Sequence, residues 1–427
     1  MPTVAVWGCW HLGTVSAACF AELGHRVVAS DLSPEVIAGL RAGRPPIAEP
    51  GLAELLRKHL ENGRLSFHLP EDPALRGAST VFLAADTDVD EDDRADLGRV
   101  RALARAAAGT LAGGELVVVH SQVPVGTTEE IGAEMAAVLG KPLRVAHVPE
   151  NLRLGKAIDG FLRPDRMVIG AGDAATAAAA EELFAGVDCP RLRMTVRSAE
   201  MAKHALNGYL ATLVSFSSEV GDLCEATGAD AWDVERALRS DRRVSATAPL
   251  RPGFGFAGAT LGRDVQALRT LASEHSLPSS LMDGVLAVNR RRSARLAERI
   301  EAELGGLAGR TICVLGLTYK PGTDTLRRSS SLEIARILGE RGARVRAFDP
   351  AISALPASAP PIELLQSAEA AAAGADALVI GTEWPEFGKL DWKKLGAGMR
   401  RPLVFDVKGL LGAAVDGVEL RRVGERA

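Results

Sequence analysis

The sequence predicts an α/β protein built of two doubly wound, Rossmann-like domains joined by a central helical segment. Three observations carry that prediction. From Thr3 to about Met194, short β-branched runs alternate with Ala- and Leu-rich helical patterns, as in a parallel sheet wrapped by helices. Between Ser198 and about Leu304 the alternation stops and almost every stretch has helical periodicity. It resumes at Thr311. The 427 residues provide for two or three domains, with boundaries expected at 1–196, 197–305 and 306–427.

Strands are expected at Thr3 to Trp7, Arg26 to Ser30, Thr80 to Ala84, Leu116 to His120, Leu143 to His147 and Met167 to Gly170. The helical segment divides into Ala199 to Thr227, Ala231 to Ser240, Asp264 to Glu274 and Ser280 to Leu304. Its one break is the Pro/Gly-rich stretch Pro249 to Gly262. The second α/β region places strands at Thr311 to Leu315, Arg344 to Phe348, Ala377 to Gly381 and Leu403 to Asp406. The tracts Ala174 to Ala180 and Ala370 to Ala373 have helix composition.

Charge and composition exclude several function classes. With 50 Lys+Arg against 54 Asp+Glu and a net charge of -4, the chain lacks the basic excess that holds nucleic acid or an anionic membrane. No apolar run reaches the ~20 residues of a membrane span, and the start lacks the pattern of a signal peptide. A cytoplasmic location is expected. Cys9, Cys19, Cys189, Cys224 and Cys313 stand singly, so they read as buried small hydrophobes. The acidic run Asp86 to Asp93 has no ligand-spaced His and reads as a solvated loop, and no metal is expected. His11, His120 and His147 show no partner in a catalytic pattern.

The first expected strand runs into Gly8-Cys9-Trp10-His11-Leu12-Gly13 and a helix, and Asp31 closes the next strand. This is the placement of a dinucleotide fingerprint: a tight turn, a helix N-terminus for the pyrophosphate and an acid for the ribose hydroxyls. Asp31, without a flanking Arg or Lys, points to NAD rather than NADP. Trp10 stands at the middle glycine, where a side chain obstructs the backbone's approach to phosphate. A generic strand-turn-helix connection is the alternative.

Longer strings carry a family resemblance. They are Pro46-Ile47-Ala48-Glu49-Pro50-Gly51-Leu52, Val123-Pro124-Val125-Gly126-Thr127-Thr128, Pro149-Glu150-Asn151-Leu152-Arg153 with Pro164-Asp165-Arg166, and Glu200 with Lys203 and Asn207. Further along come Pro252-Gly253-Phe254-Gly255-Phe256-Ala257-Gly258, Gly316-Leu317-Thr318-Tyr319-Lys320 with Arg327, and Glu383-Trp384-Pro385-Glu386-Phe387. Together, in this order, they resemble the UDP-glucose/GDP-mannose dehydrogenase family over nearly the whole chain.

The resemblance implies an NAD domain and a nucleotide-sugar domain flanking a dimerising helix, with oxidation of the sugar's C6 alcohol. It implies cofactor contacts at Gly8, His11, Leu12, Gly13, Asp31, Thr87, Ser121 and Arg327. Substrate contacts fall at Leu152, Arg153, Lys203, Asn207, Arg243, Phe254, Gly255, Gly258, Lys320 and Lys408, with Arg243 reaching across a homodimer. The implied catalytic set is Lys203, Asn207, Asp264 and Glu150. Lys203 and Asn207 lie four apart, hence on one helical face, where both can stabilise alkoxide character.

The departures from the family pattern are specific. Thr260 stands at the position of the family's catalytic cysteine, Gln122 at a usual Thr and Leu154 at a usual Glu. A hydroxyl with no strong base beside it is a poor nucleophile at neutral pH, whereas a thiol is partly ionised and reactive. The expectation is therefore an NAD-dependent oxidation of a nucleotide sugar, a UDP-sugar, that halts at the aldehyde. Two alternatives stay open: full oxidation with water activated by Glu150 or Asp264, and a nucleotide-sugar-binding paralogue without turnover.

Overall fold

The computed structural model describes residues 3–89, 94–258 and 260–425. The chain divides into two compact units, Met1–Ala205 and Leu206–Ala427.

In the first unit the strands are β1 Thr3–Trp7, β2 Arg26–Ser30, β3 Leu65–His68, β4 Thr80–Leu83, β5 Asp88–Val89, β6 Ala95–Asp96, β7 Leu116–Val119, β8 Arg144–His147, β9 Met167–Ala171 and β10 Arg191–Met194. Eight of them form one sheet in the order β10-β9-β8-β7-β4-β1-β2-β3. From β3 to β8 the strands are parallel, and β9 turns antiparallel to β8 with His147 opposite Gly170. The inner strands β1, β4 and β7 are almost wholly Val, Ala, Leu and aromatic because helices cover both faces. One layer closes around Phe20, on the helix His11–Glu22, which packs edge-on against Phe82 at 4.8 Å and Phe161 at 5.1 Å. That packing fixes the helix whose N-terminus faces the end of β1. β5 and β6 pair as a short antiparallel ribbon.

The strands β3 and β10 were not expected. Both are sheet edges: β3 buries only alternate residues and β10 buries none, so neither has the continuous apolar run of an inner strand.

A 32-residue helix, Val196–Thr227, carries the chain into the second unit. There follow helices Ala231–Ser240, Thr260–Glu274 and Ser280–Leu304, and the strands β11 Thr311–Leu315, β12 Arg344–Phe348, β13 Glu363–Leu364, β14 Ala377–Ile380, β15 Leu403–Asp406 and β16 Glu419–Arg422. The sheet is fully parallel in the order β13-β12-β11-β14-β15-β16. β13 and the charged edge strand β16 were likewise absent from the expected set.

Each sheet reverses its strand order once, between β1 and β4 and between β11 and β14. Open α/β sheets take ligands in the crevice beyond the strand ends at such a reversal. The first crevice is lined by the turn after β1 and by the residues after β4.

Candidate functional site

The turn after β1 requires glycine. Gly8 has φ +96°, and a Cβ there would stand 2.9 Å from the Ala85 amide; a Cβ on Gly13 would fall 1.5 Å from the Gly8 carbonyl. This close stacking of turn, helix and β4 brings the helix N-terminus to the end of β1, the arrangement that receives a pyrophosphate. Trp10 occupies the N-cap of the helix without a side-chain cap and is 39% exposed.

Asp31, at the end of β2, is completely buried and accepts the Cys9 amide at 2.7 Å and the Ser33 amide at 3.0 Å. Arg99 Nη2 donates to both of its oxygens, at 3.0 and 2.9 Å. The sequence around Asp31 has no cation, but the fold supplies one from 68 residues away. This corrects the expectation of an acid without a basic neighbour.

Asp86 is also misread as part of a solvated loop. It is half-buried, and its Oδ2 accepts the Leu12 amide at 3.1 Å, on the turn where a phosphate oxygen would lie. Burial pushes its carboxyl above the usual carboxylate range, against the Leu12 bond and His11, with the charge of Glu150 adding to the rise. Residues 90–93 of that acidic run lie outside the described residues.

His11 has a partner after all: its Nε2 lies 2.9 Å from Glu49 Oε2. The buried Glu49 also accepts the Gly155 and Ala157 amides at 2.8 and 2.9 Å, so it ties the fingerprint helix to the segment after β8. Thr87 donates to the Gln122 carbonyl at 2.7 Å, and Ser121 is buried beside Leu83. His120 and His147 are buried and bonded to the Val148 carbonyl and to Thr128. Burial lowers their pKa values to about 4 and about 3. Glu200, from the helix Val196–Thr227, accepts the Gly126 and Thr128 amides at 2.6 and 2.8 Å.

Beyond β8 the segment holding Glu150 meets Lys203, whose Nζ lies 3.2 Å from Glu150 Oε1 with both side chains nearly buried. The other Glu150 oxygen accepts the Leu152 amide at 2.8 Å, which points the carboxylate at the lysine. Arg153 is exposed beside it.

In the second unit Asn207, one turn after Lys203 on the same helix, donates through Nδ2 to Asp264 Oδ2. Asp264 is fully buried, with Arg263 Nε 3.8 Å from its other oxygen. Thr260 is exposed at the first residue of the helix Thr260–Glu274. The glycine-rich loop is held by Asn289, which accepts the Phe256 amide at 2.8 Å and donates to its carbonyl at 3.0 Å, and by Arg292, which donates to the Gly253 carbonyl at 3.0 Å. Gly255 has φ +85° and leaves no room for a Cβ beside Asn289. Gly258 has φ +74° and faces the Tyr319 ring. Phe254 is buried.

Lys320 Nζ stands 5.4 Å from the centroid of the Tyr319 ring, and the same ring lies against Gly258, so the structure brings Gly258 and the Lys320 segment together. Lys408 pairs with Glu383 at 3.6 Å. Arg327 is exposed, and Arg243 lies on the surface paired to Asp241 at 2.7 Å.

At the second sheet's reversal, Asp349 at the end of β12 accepts the Leu317 and Thr318 amides at 2.6 and 3.0 Å and the Trp384 indole at 3.2 Å. Sequence reasoning passed over Asp349, Glu49, Asp86 and Arg99. The first three could have been found, because Asp349 directly follows β12 and Asp86 lies three residues after β4, each strand beside a reversal, and Glu49 lies inside a quoted string.

Of the five cysteines, all unpaired, Cys189 is half-buried and the rest buried. Among the described residues no group of three or more His, Cys, Asp or Glu is placed to hold a metal, and no helix is long and apolar enough to cross a membrane.

A glycine-stacked dinucleotide turn at the reversal of a doubly wound sheet, with Lys203 of one helix paired to Glu150 and Asn207 of the same helix to Asp264, defines a pyridine-nucleotide-dependent dehydrogenase. The chain belongs to the UDP-glucose/GDP-mannose dehydrogenase family. Its NAD binding domain matches residues 2–188, its central domain 197–291 and its UDP binding domain 313–413. Similar proteins include UDP-glucose 6-dehydrogenase of Pseudomonas aeruginosa, 38% identical over 96% of this chain and 94% of that one. UDP-glucose 6-dehydrogenase YwqF of Bacillus subtilis is 36% identical over 99% and 98%. Among solved structures, the UDP-glucose dehydrogenase of Pyrobaculum islandicum has TM-score 0.89 and 37% identity over 100% of this chain and 98% of its own. The UDP-D-ManNAc dehydrogenase of Pyrococcus horikoshii has TM-score 0.87 and 26% identity over 99% of both chains. The chain is an NAD-dependent nucleotide-sugar dehydrogenase, and NAD is its cofactor.

Proposed function

We propose that the chain oxidises the C6 primary alcohol of a UDP-sugar and halts at the aldehyde. The observation that carries this reading is the placement of Lys203 and Asn207 one turn apart on one helix, each paired to a buried or nearly buried carboxylate, Glu150 and Asp264. In this reading the Lys203 ammonium and the Asn207 amide stabilise alkoxide character at the reacting oxygen, and Asp264 and Glu150 take the hydroxyl proton through water. Gly8, His11, Leu12, Gly13, Asp31, Thr87, Ser121 and Arg327 hold NAD, which when bound accepts the hydride. Leu152, Arg153, Phe254, Gly255, Gly258, Lys320 and Lys408 hold the nucleotide sugar.

Thr260 supports the halt. Capture of the aldehyde by a thiol, the step that makes the second oxidation fast, is absent at a threonine. Incubation with NAD and a panel of UDP-sugars tests the proposal: one NADH per sugar and a carbonyl trapped by hydroxylamine are expected. Two NADH per sugar with no trappable carbonyl would replace it with a water-based route through Glu150 or Asp264.

The proposal includes a cytoplasmic homodimer assembled through the central segment 197–305, with 1–196 binding NAD and 306–427 binding the sugar nucleotide. Tyr209, Phe216 and Leu223 support it: they recur every seven residues on the helix Val196–Thr227 and are 61%, 48% and 63% exposed. Arg243, exposed on the surface, reaches the partner's substrate in this assembly.

A further inference from the structure

We propose that Arg99 sets the pyridine-nucleotide specificity of this enzyme and opens the ribose site to a 2′-phosphate, so that NADP(H) binds as well as NAD(H). The inference rests on the reading that Asp31 faces the adenosine ribose. An acid at this position selects NAD in two ways: it bonds the free ribose hydroxyls and its charge repels a 2′-phosphate. Here both are blunted. Each Asp31 oxygen already accepts one backbone amide, from Cys9 or Ser33, and the Arg99 Nη2 bridges the two. The carboxylate is completely buried and its charge is offset at 2.9 Å by a guanidinium.

Arg99 itself is placed to act. Its side chain is 40% exposed, and only Nη2 is engaged by Asp31. A guanidinium has five N–H donors in a planar fork suited to phosphate, and those on Nη1 and Nε have no partner among the described residues. A 2′-phosphate arriving beside Asp31 meets this cation without any cost of recruiting it. Arg99 lies at the start of the helix Gly98–Ala108, next to the ribbon of β5 and β6. A rotation of its long side chain uncovers Asp31 for the NAD hydroxyls.

The test is fluorescence titration of the full-length protein with NADH and NADPH, without sugar substrate, for wild type, Arg99→Ala, Arg99→Gln and Asp31→Ala. Wild type is expected to bind NADPH within about tenfold of NADH, and both Arg99 variants to raise the NADPH/NADH ratio of dissociation constants at least tenfold. An unchanged ratio in the two Arg99 variants, with Asp31→Ala still weakening NADH, overturns the role of Arg99 and leaves the ribose reading intact. An Asp31→Ala protein that binds NADH like wild type overturns both. Arg99→Gln keeps a polar amide donor and removes only the charge, so it reports on charge even where Arg99→Ala fails to fold.

Discussion

The Asp86 carboxylate accepts the Leu12 amide at 3.1 Å, within the first turn of the helix that β1 feeds. A helix N-terminus carries partial positive charge and orphan amides, and it attracts anions. In this chain an anion of its own, the Asp86 carboxylate, already sits there, so in the proposed cofactor site the pyrophosphate has to displace or share with Asp86. The charged groups around it are His11, Glu150 and Arg99.

Removing that competitor is expected to tighten NAD. Asp86→Ala frees the Leu12 amide and removes a negative charge, worth on the order of 1 kcal/mol, or about a fivefold lower dissociation constant. The wild type should also bind NAD more tightly as pH falls. Because burial raises the Asp86 pKa, its proton is bound above the ordinary carboxylate range, and protonation removes the repulsion. A group raised in this way adds stability at low pH and loses it as pH rises through the raised value. Asp86→Asn should flatten the dependence of NAD affinity just above the ordinary carboxylate range; an equally steep curve in that variant points to another group.

The buried histidines set the opposite trend in folding stability. His120 and His147 are held neutral, with pKa values lowered to about 4 and about 3 by burial. Between the unfolded value near 6.5 and these folded values the unfolded chain binds protons and the folded one does not. Stability is therefore fully present above about pH 6.5 and lost as pH falls, by on the order of 3 kcal/mol for each histidine at pH 4. His147→Gln should make the melting temperature less sensitive to acid between pH 6.5 and 4. A wild-type melting temperature that is flat across that interval contradicts the buried, neutral assignment.

The parts of the fold visible in the sequence are those where burial is continuous. β1, β4, β7, β11 and β14 read directly because both faces are covered and, apart from the leading Thr3, Thr80 and Thr311, every residue is apolar. β10 and β16, with Arg191, Arg193, Arg421 and Arg422, carry charge along their length and pair on one edge only. Their strand character comes from a neighbour rather than from their own pattern. The site divides the same way. Gly8, Gly13 and Asp31 were legible because a turn of fixed length dictates their spacing. Arg99 on Asp31 and Asp86 on Leu12 were not, since 68 and 74 residues separate the partners and no local rule links them.

Dimerisation through the exposed stripe of the helix Val196–Thr227 gives a third test. Burying Tyr209, Phe216 and Leu223 against a second copy contributes roughly 1.5–3 kcal/mol each. Phe216→Glu places a charge in the middle of the stripe, where burial without a partner is costly. Light scattering at micromolar concentration is expected to give a dimer for wild type and half that mass for Phe216→Glu. Arg243→Ala should keep the dimer mass while raising the Michaelis constant for the nucleotide sugar. A monomeric wild type removes the basis for both.

In the proposed reading Thr260 decides how far the oxidation runs. A thiol at this position captures the aldehyde, so that the second hydride leaves from a covalent adduct and water then releases the acid. Threonine's hydroxyl is far less acidic than a thiol, and its side chain, at the first residue of the helix Thr260–Glu274, adds a methyl group that cysteine lacks. The second oxidation by that route is expected to slow by orders of magnitude, each tenfold corresponding to about 1.4 kcal/mol of barrier. In the proposed mechanism the first oxidation calls on Lys203, Asn207 and Asp264 and needs no nucleophile, so it should survive. Thr260→Cys is therefore expected to move the yield from about one NADH per sugar towards two, with mass spectrometry showing acid in place of aldehyde. Thr260→Ser separates bulk from chemistry, because it removes the methyl group and keeps the hydroxyl. If serine restores the second hydride as well as cysteine does, crowding rather than nucleophilicity sets the halt; if wild type already yields two, the aldehyde is carried forward by water.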